Sequence, residues 1–311
     1  MNLTKKHGHL ALLLANLIFG LNNPISRTLI PDIIDSFTIT FFRISGAAVL
    51  FWVASLFVKK EKIPPKDILK LFFASLFAIV INQFFFLKGL SLSSPIDASL
   101  VITLLPIFTM LLAAVIIKEP ITWLKVIGVL VGASGALILI LNSSSNGSSG
   151  NFRGNLIILV STLSFAFYLA MFKEVVSKYS PISVMKWMFL FATLVSLPFC
   201  YKPLTETDFS TFDVTVYLRI SYVVILATFV AYIFLPIGQK TLRPTTLSMY
   251  NYVQPIVASL VTVAIGMDHF SYVNVVSAIL VFSGVYVVTQ SKSKAQLEEE
   301  KAKKEFSSNG K

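Results

Sequence analysis

Charged side chains are scarce in this chain of 311 residues: they make up 13% of it, against 55% apolar residues and a mean hydropathy of +0.79. A soluble globular protein carries about 25% charged residues. The chain therefore lacks the charge needed to cover a surface in water, and its 27 phenylalanines and long uncharged runs indicate that lipid is its solvent. The composition excludes a soluble enzyme and a disordered protein and predicts an all-α integral membrane protein.

Cysteine is nearly absent, since Cys200 is the only one. No disulfide can form within the chain, which excludes a disulfide-stapled secreted module, and no thiolate metal cage is possible. His7 and His9 precede the first apolar run and His269 stands alone, so no convergent set of metal ligands is visible. We predict neither a metal nor another cofactor.

Ten apolar stretches are long enough to span a bilayer, which takes about 20 residues in helical form. These candidate spans are 8–30, 36–58, 69–88, 95–117, 122–141, 154–173, 181–200, 215–237, 244–265 and 270–289. No small-residue cleavage site follows the first of them, so we predict a permanent helix there and not a signal peptide.

The net charge of +11 is spread over short segments between the spans and does not form one basic face, which argues against a nucleic acid partner. Most of the 26 Lys and Arg fall on one side if both termini are cytoplasmic. This bias predicts a multi-pass protein of the inner or plasma membrane with cytoplasmic termini. The exceptions are Arg27, Arg43, Lys88, Arg153, Lys202 and Arg219.

The chain contains an internal repeat. At an offset of 149 positions Gly89 meets Gly238, and Pro106 meets Pro255. At an offset of 146 the first span meets the sixth, with Phe19 on Phe165. The predicted organisation is a cytosolic N-terminus (1–7), a five-span repeat (8–141), a flexible linker (142–153), a second five-span repeat (154–290) and a charged cytosolic tail (291–311).

An odd number of spans in each repeat places the second upside down relative to the first. Inverted repeats with Pro-broken helices are typical of secondary transporters, and the sequence therefore predicts a carrier. Membrane-enzyme signatures such as H-E-x-x-H are absent, so we predict no enzymatic activity. The alternative is a membrane-embedded scaffold or a channel-like subunit without carrier activity.

Several motifs then resemble the EamA-type transporters of the drug/metabolite transporter superfamily, and the likeness covers about 8–290. They are Ile18-Phe19-Gly20 with Arg27, Phe37-Thr38 through Arg43, Ala98-Ser99 to Pro106, Lys118-Glu119-Pro120 and Gly128 to Gly135. Phe19, where tryptophan is usual, and Pro120 depart from the family pattern. The resemblance implies a ten-helix inner-membrane carrier, often an exporter of amino acids or related metabolites.

Polar residues inside the spans are costly unless they are partnered or wet, so they are the candidates for substrate contact. Interhelical hydrogen bonds are the alternative role for each of them. The candidates are Asn16, Asn23, Asn82, Gln83, Tyr168, Thr228, Tyr232, Tyr250, Asn251 and Gln254. Of these, the stretch from Tyr250 to Gln254 is the densest polar cluster in the chain. Pro24, Pro106 and Pro255 are predicted helix hinges.

Four charged residues are candidates for electrostatic or gating roles. Arg43 lies in the outer half of a span, where it could attract a substrate carboxylate, snorkel, or pair with Asp97 in a structural role, which we favour. Glu119 and Asp268 occupy equivalent helix ends in the two repeats, where capping is favoured over latching a gate.

The mechanism follows by elimination. The chain has no P-loop for ATP, and none of its 15 acidic residues falls near the middle of a span. Ion relays usually exploit such carboxylates, so the sequence favours alternating access driven by the substrate's own gradient or by exchange. The predicted partners are a small-molecule substrate and membrane lipid. The glycines of the fifth span leave open whether they pack within the chain or in a homodimer.

Overall fold

The computed structural model describes residues 3–30, 33–93, 101–142, 152–264 and 272–292, with residue 297. Within this part of the chain every regular element is helical. In chain order the helices are α1 (Lys5–Arg27), α2 (Ser36–Ser55), α3 (Pro65–Leu92), α4 (Leu105–Ile116), α5 (Trp123–Asn142), α6 (Phe152–Met171), α7 (Lys173–Lys178), α8 (Pro181–Glu206), α9 (Val214–Thr241), α10 (Pro244–Met249), α11 (Val253–Ala264) and α12 (Tyr272–Gln290). Short 3₁₀ turns cover Phe209–Thr211 and Tyr250–Tyr252.

Five of these helices, namely α2, α3, α6, α8 and α9, are long and apolar enough to cross a membrane. Large apolar side chains cover the outside of the protein, and Phe57, Val115 and Trp123 are each exposed by more than three quarters. Such an apolar exterior would be an aggregation hazard in water and is suited to lipid. The described helices therefore fit an integral membrane protein.

Polar residues at the ends of the apolar runs begin the helices. The Asp35 carboxylate accepts the backbone N–H of Phe37 at 2.8 Å at the start of α2. Asp213 accepts the N–H of Val216 at 2.8 Å at the start of α9. Both are N-caps, which satisfy backbone donors that have no partner within the helix.

Helix α8 is longer than the predicted span 181–200. The apolar run ends at residue 200, but the helix continues to Glu206. Its last turns carry Tyr201 and Lys202 on an exposed surface. Lys202 and Glu206 form a pair one helical turn apart at 3.7 Å, which supports a helix that projects beyond the membrane. The start of the predicted span 95–117 lies outside the described residues.

Irregular backbone occurs at equivalent positions of the two halves. A π-helical turn covers Leu76–Ile81 in α3, and another covers Ile225–Val230 in α9, 149 positions later. Such turns insert an extra residue and are frequent at functional sites. The predicted hinge residues Pro106 and Pro255 also match: each lies in the first turn of a helix that starts anew in mid-span, α4 and α11.

Close packing at a glycine also occurs at equivalent positions of the two halves. An added Cβ on Gly89 of α3 would lie 2.5 Å from Ile158 of α6, and one on Gly238 of α9 would lie 2.5 Å from Leu12 of α1. Ile158 and Leu12 differ by the 146 positions that relate the sixth span to the first. Each contact is thus the counterpart of the other, as a two-fold relationship between the halves requires.

The glycines of α5 pack within the chain. An added Cβ on Gly284 of α12 would lie 2.5 Å from the backbone nitrogen of Gly132. One on Gly128 would lie 2.8 Å from the Gly284 carbonyl oxygen. The two backbones approach so closely that only hydrogen fits between them, which is the packing expected of small residues in membrane helices.

Candidate functional site

A cavity of about 120 Å³, the space open to the centres of water molecules, lies between the two halves of the chain. Residues of both halves line it: Phe19, Asn22, Arg43, Asn82, Gln83, Phe86, Ile102, Leu105, Ser161, Thr162, Phe165, Tyr232, Leu235, Asn251 and Gln254. Its wall combines aromatic faces with amide and hydroxyl groups, the mixture expected of a small-molecule site. Five of the ten predicted substrate residues contribute to it.

Arg43 is the one charged residue among the described residues that line this cavity. Only 6% of it is exposed, and its Nε donates to the Thr228 hydroxyl at 3.2 Å. That hydroxyl donates in turn to the Val223 carbonyl at 2.7 Å, so its lone pairs are directed at Arg43. Within the described part of the chain, no carboxylate lies within 4 Å of the guanidinium.

Gln83 and Tyr232 meet at the cavity wall. The Gln83 Nε2 donates to the Tyr232 hydroxyl at 3.0 Å, and the Gln83 Oε1 is buried without a hydrogen-bond partner among the described residues. The π-helical turns that precede both residues set their positions on α3 and α9. An unsatisfied buried acceptor is costly, and a bound molecule with an N–H group could satisfy this one.

Asn82 forms more hydrogen bonds within the protein than Gln83 does. Its Nδ2 donates to the Ser161 hydroxyl at 3.1 Å and to the Ser161 carbonyl at 3.2 Å, while the Ser161 hydroxyl donates to the Asn82 carbonyl at 2.7 Å. This reciprocal pair joins α3 to α6. Asn82 therefore has the interhelical role that the sequence left as the alternative, although it also borders the cavity.

Gln254 and Asn16 form a similar link between α11 and α1. The Gln254 Nε2 donates to the Asn16 Oδ1 at 2.8 Å, and the Asn16 Nδ2 donates to the Leu12 carbonyl at 2.8 Å. Gln254 faces the cavity, and Asn16 supports it from behind. Asn251 also lines the cavity, one turn before Gln254.

The model of the EamA-like transporter family matches residues 6–141 and again residues 152–290. The chain belongs to this family. EamA proteins are part of the drug/metabolite transporter superfamily, so the expectation raised by the sequence motifs is confirmed.

Individual relatives of this EamA-like transporter support the same assignment. An uncharacterized transporter of Archaeoglobus fulgidus is 26% identical over 254 residues, which cover 82% of this chain and 88% of that protein. The uncharacterized transporter YyaM of Bacillus subtilis is 26% identical over 213 residues, 66% of this chain and 67% of that protein. A solved crystal structure shares the fold with a TM-score of 0.75 at 18% identity and covers 91% of this chain and 96% of its own.

Three residues predicted to contact substrate lie elsewhere in the EamA-like transporter. The Tyr168 hydroxyl donates to the Gln239 Oε1 at 2.8 Å, which joins α6 to α9. The Tyr250 hydroxyl is 2.6 Å from the Nδ1 of His9, near the start of α1. Thr228 supports Arg43 and is not part of the cavity wall. The side chains of Asn23 and Pro24 lie outside what the structure describes, as do Asp97 and Asp268.

Glu119 does not cap a helix. Its Oε1 accepts from the Lys125 Nζ at 2.6 Å and lies 3.9 Å from the Arg243 Nε, so it connects the two halves. Arg243 also donates to the Ser291 carbonyl at 2.7 Å at the end of α12. Burial lowers the pKa of Arg243, and the adjacent Glu119 opposes that shift. The cluster is an ion-pair contact between the two halves, and a gate-latching role for Glu119 stays a prediction.

Several cavity residues were not predicted: Ile102, Leu105, Ser161, Thr162, Phe165 and Leu235. The repeat could have identified two of them. Phe165 and Thr162 are the counterparts of Phe19 and Asn16 at the offset of 146. The other residues are apolar or carry a small hydroxyl group. Such residues are common throughout membrane helices, so their type does not indicate a cavity.

Proposed function

We propose that this EamA-like transporter is a secondary carrier, an exporter or exchanger, of small metabolites such as amino acids. In this proposal ten spans form two inverted repeats, 8–141 and 154–290, and the substrate site is accessible alternately from either side of the inner membrane. The termini, including the charged tail 291–311, are cytoplasmic.

The observation that carries the proposal is a cavity built where equivalent residues of the two halves touch. Gln83 and Tyr232, which differ by the repeat offset of 149, are hydrogen-bonded in its wall. The Tyr252 hydroxyl likewise donates at 3.0 Å to the carbonyl of Thr103, its counterpart at the same offset. The first pair directly follows the two π-helical turns, and the second lies in irregular backbone itself. Broken helices at the interface of inverted repeats are where such carriers hold their substrate.

Several polar contacts join the two halves on the side assigned to the cytoplasm. His9 meets Tyr250 there, the Tyr179 hydroxyl donates to the Asp67 carboxylate at 2.7 Å, and Glu119 approaches Arg243. These contacts support a state in which the cytoplasmic side is closed. Their separation would open the cavity inwards, and a rocking motion of one half against the other would achieve this.

The proposed mechanism needs no coupling ion. Among the described residues that line the cavity there is no Asp or Glu that could exchange a proton or bind sodium. Ion relays in membranes generally depend on such groups. The driving force in this proposal is the gradient of the substrate itself or exchange for a second molecule.

Counterflow in proteoliposomes tests the proposal. Vesicles preloaded with each standard amino acid in turn would be assayed for uptake of the same labelled compound, with and without a pH gradient. We expect saturable exchange for at least one compound, independent of the pH gradient. Gln83→Met should abolish it, and Gln290→Met, the same change at an exposed position of α12, should not.

Other outcomes would identify the alternatives. Flux that does not saturate and shows no counterflow indicates a channel-like subunit. Uptake that follows the pH gradient contradicts the uncoupled mechanism. A complete absence of exchange by folded, reconstituted protein across the panel would favour the scaffold.

A further inference from the structure

Arg43 is a buried cation whose charge no described residue neutralises. Only one of its nitrogen atoms, Nε, has a hydrogen-bond partner in the described part of the chain, the neutral Thr228 hydroxyl. A guanidinium has five N–H donors, so most of its capacity remains unused. A buried charge of this kind is costly without a counter-charge, and the cavity is where one can be bound.

Hydrogen bonds within the protein orient the Arg43 guanidinium. The Thr228 hydroxyl is held by the Val223 carbonyl at 2.7 Å and in turn holds Nε. Because Nε is occupied from the side of α9, the two terminal NH₂ groups are left for a ligand. Paired N–H groups of this type match the two oxygens of a carboxylate.

The rest of the cavity limits the charge of its ligand. The other described lining residues are neutral, so one negative group is compensated and a second would be buried without a partner. A dianionic phosphate is therefore disfavoured. An acceptor is also present: the Gln83 Oε1 is buried and unpartnered among the described residues, and it could receive an N–H of the ligand.

We propose that Arg43 selects a carboxylate, and that the transported compound is a small monocarboxylate or a zwitterion with a single carboxylate. This inference rests on the proposed function, because it treats the cavity as the substrate site. It adds a charge requirement: removal of the carboxylate from a substrate abolishes its binding, and a compound that is only cationic does not bind.

The experiment measures binding without transport. Purified protein in detergent would be heated with each standard L-amino acid and with lactate, and then with the carboxamide of each compound. Ligands that bind the folded state raise its melting temperature. At least one acid should stabilise the protein, with an affinity at least about tenfold above that of its carboxamide, as expected for hydrogen bonds to a charged group.

Variants assign this preference to Arg43. Arg43→Gln should reduce the acid-to-carboxamide ratio to about one. Arg219→Gln, the same change on α9 outside the cavity wall, should leave it unchanged. If Arg43→Gln does not fold, Arg43→Lys keeps the charge and should retain the preference for the acid. Thr228→Val should weaken acid binding several-fold because the guanidinium loses its support.

Three results would overturn the proposal. They are equal binding of acids and carboxamides by the wild type, a preference that survives in Arg43→Gln, and a panel in which no acid stabilises the protein. If Arg43 serves only to pair with Asp97, then Arg43→Gln and Asp97→Asn will lower the melting temperature equally and leave ligand preference unchanged. Acid binding that depends on Arg43, together with no counterflow, would refute the carrier and leave this assignment standing.

Discussion

Gln83 and Tyr232, separated by 149 positions, are joined by a hydrogen bond of 3.0 Å between the amide Nε2 and the phenol oxygen. They are equivalent residues of the two repeats, and equivalent residues can touch only close to the axis that relates the halves. The cavity therefore surrounds this axis. Motion of one half against the other must change its shape.

The first prediction concerns that bond. Tyr232→Phe leaves the buried Gln83 Nε2 without its acceptor and should lower the free energy of unfolding by about 1–3 kcal/mol. In Gln83→Met the donor is already gone, so Tyr232→Phe added to it should cost less than it does in the wild type. Chemical denaturation in detergent micelles gives all four values. Strictly additive losses would show that the bond contributes nothing.

The second prediction concerns Glu119 and Lys125, whose side chains are 6% and 1% exposed. Removal of one partner of a buried ion pair typically costs about 3–5 kcal/mol, because the other charge remains buried. Lys125→Met and Glu119→Gln should each be strongly destabilising, and the double variant should cost less than their sum. The matched control is the exposed pair Lys202 and Glu206, whose coupling should not exceed about 1 kcal/mol.

The third prediction concerns the contact of α5 with α12. Gly284→Ala places a methyl group 2.5 Å from the Gly132 backbone nitrogen, which cannot move without the helix. We expect a loss of about 1–3 kcal/mol in the free energy of unfolding, as for overpacked cores. Gly46→Ala is the control, since its new methyl meets the end of the Val224 side chain. Equal losses would mean that the two helices are not in close backbone contact.

The fourth prediction concerns pH and Glu61, in the segment between α2 and α3. Burial disfavours its ionisation, but hydrogen bonds from Ser183 and Ser180 outweigh this and lower its pKa below 4.5. The Ser180 backbone N–H, at the start of α8, is 2.8 Å from its Oε2.

A carboxyl group with a lowered pKa stabilises the fold above its unfolded pKa, and this stabilisation is lost as the pH falls through the folded pKa. The melting temperature of the wild type should therefore exceed that of Glu61→Gln at about pH 7, and the difference should shrink below about pH 4.5. A difference that is constant down to about pH 3 would contradict the assigned hydrogen bonds.

Much of the architecture could be predicted from the sequence, because membrane helices are recognisable by their length and their apolar composition. The repeat offset of 149 was readable from glycine and proline positions, and it holds in the structure down to the two π-helical turns. The turns themselves were not predicted. Their sequences, LFAIVI and ILATFV, are ordinary apolar runs, and nothing in them distinguishes an i→i+5 bond from the usual one.

The site was harder to predict, because a polar residue in a span can serve a ligand or a neighbouring helix. Tyr168 and Asn82 are both polar residues inside apolar spans, and the sequence does not distinguish their roles. In the structure Tyr168 binds Gln239 away from the cavity, whereas Asn82 borders the cavity. Arg43 was expected to have a structural partner. Its position in the cavity wall depends on how α2 packs against α9, which no local pattern specifies.

The central claim, that the cavity opens alternately to the two sides, is tested by locking one side. His9 Nδ1 and the Tyr250 hydroxyl are 2.6 Å apart across the two halves. In a chain made cysteine-free by Cys200→Ser, cysteines at both positions would be joined by a short bifunctional thiol reagent and released by reduction. Each single-cysteine variant treated with the same reagent is the control. The carrier predicts that counterflow is lost in the cross-linked protein and returns on reduction. Full counterflow in protein shown to be cross-linked would contradict alternating access at this interface.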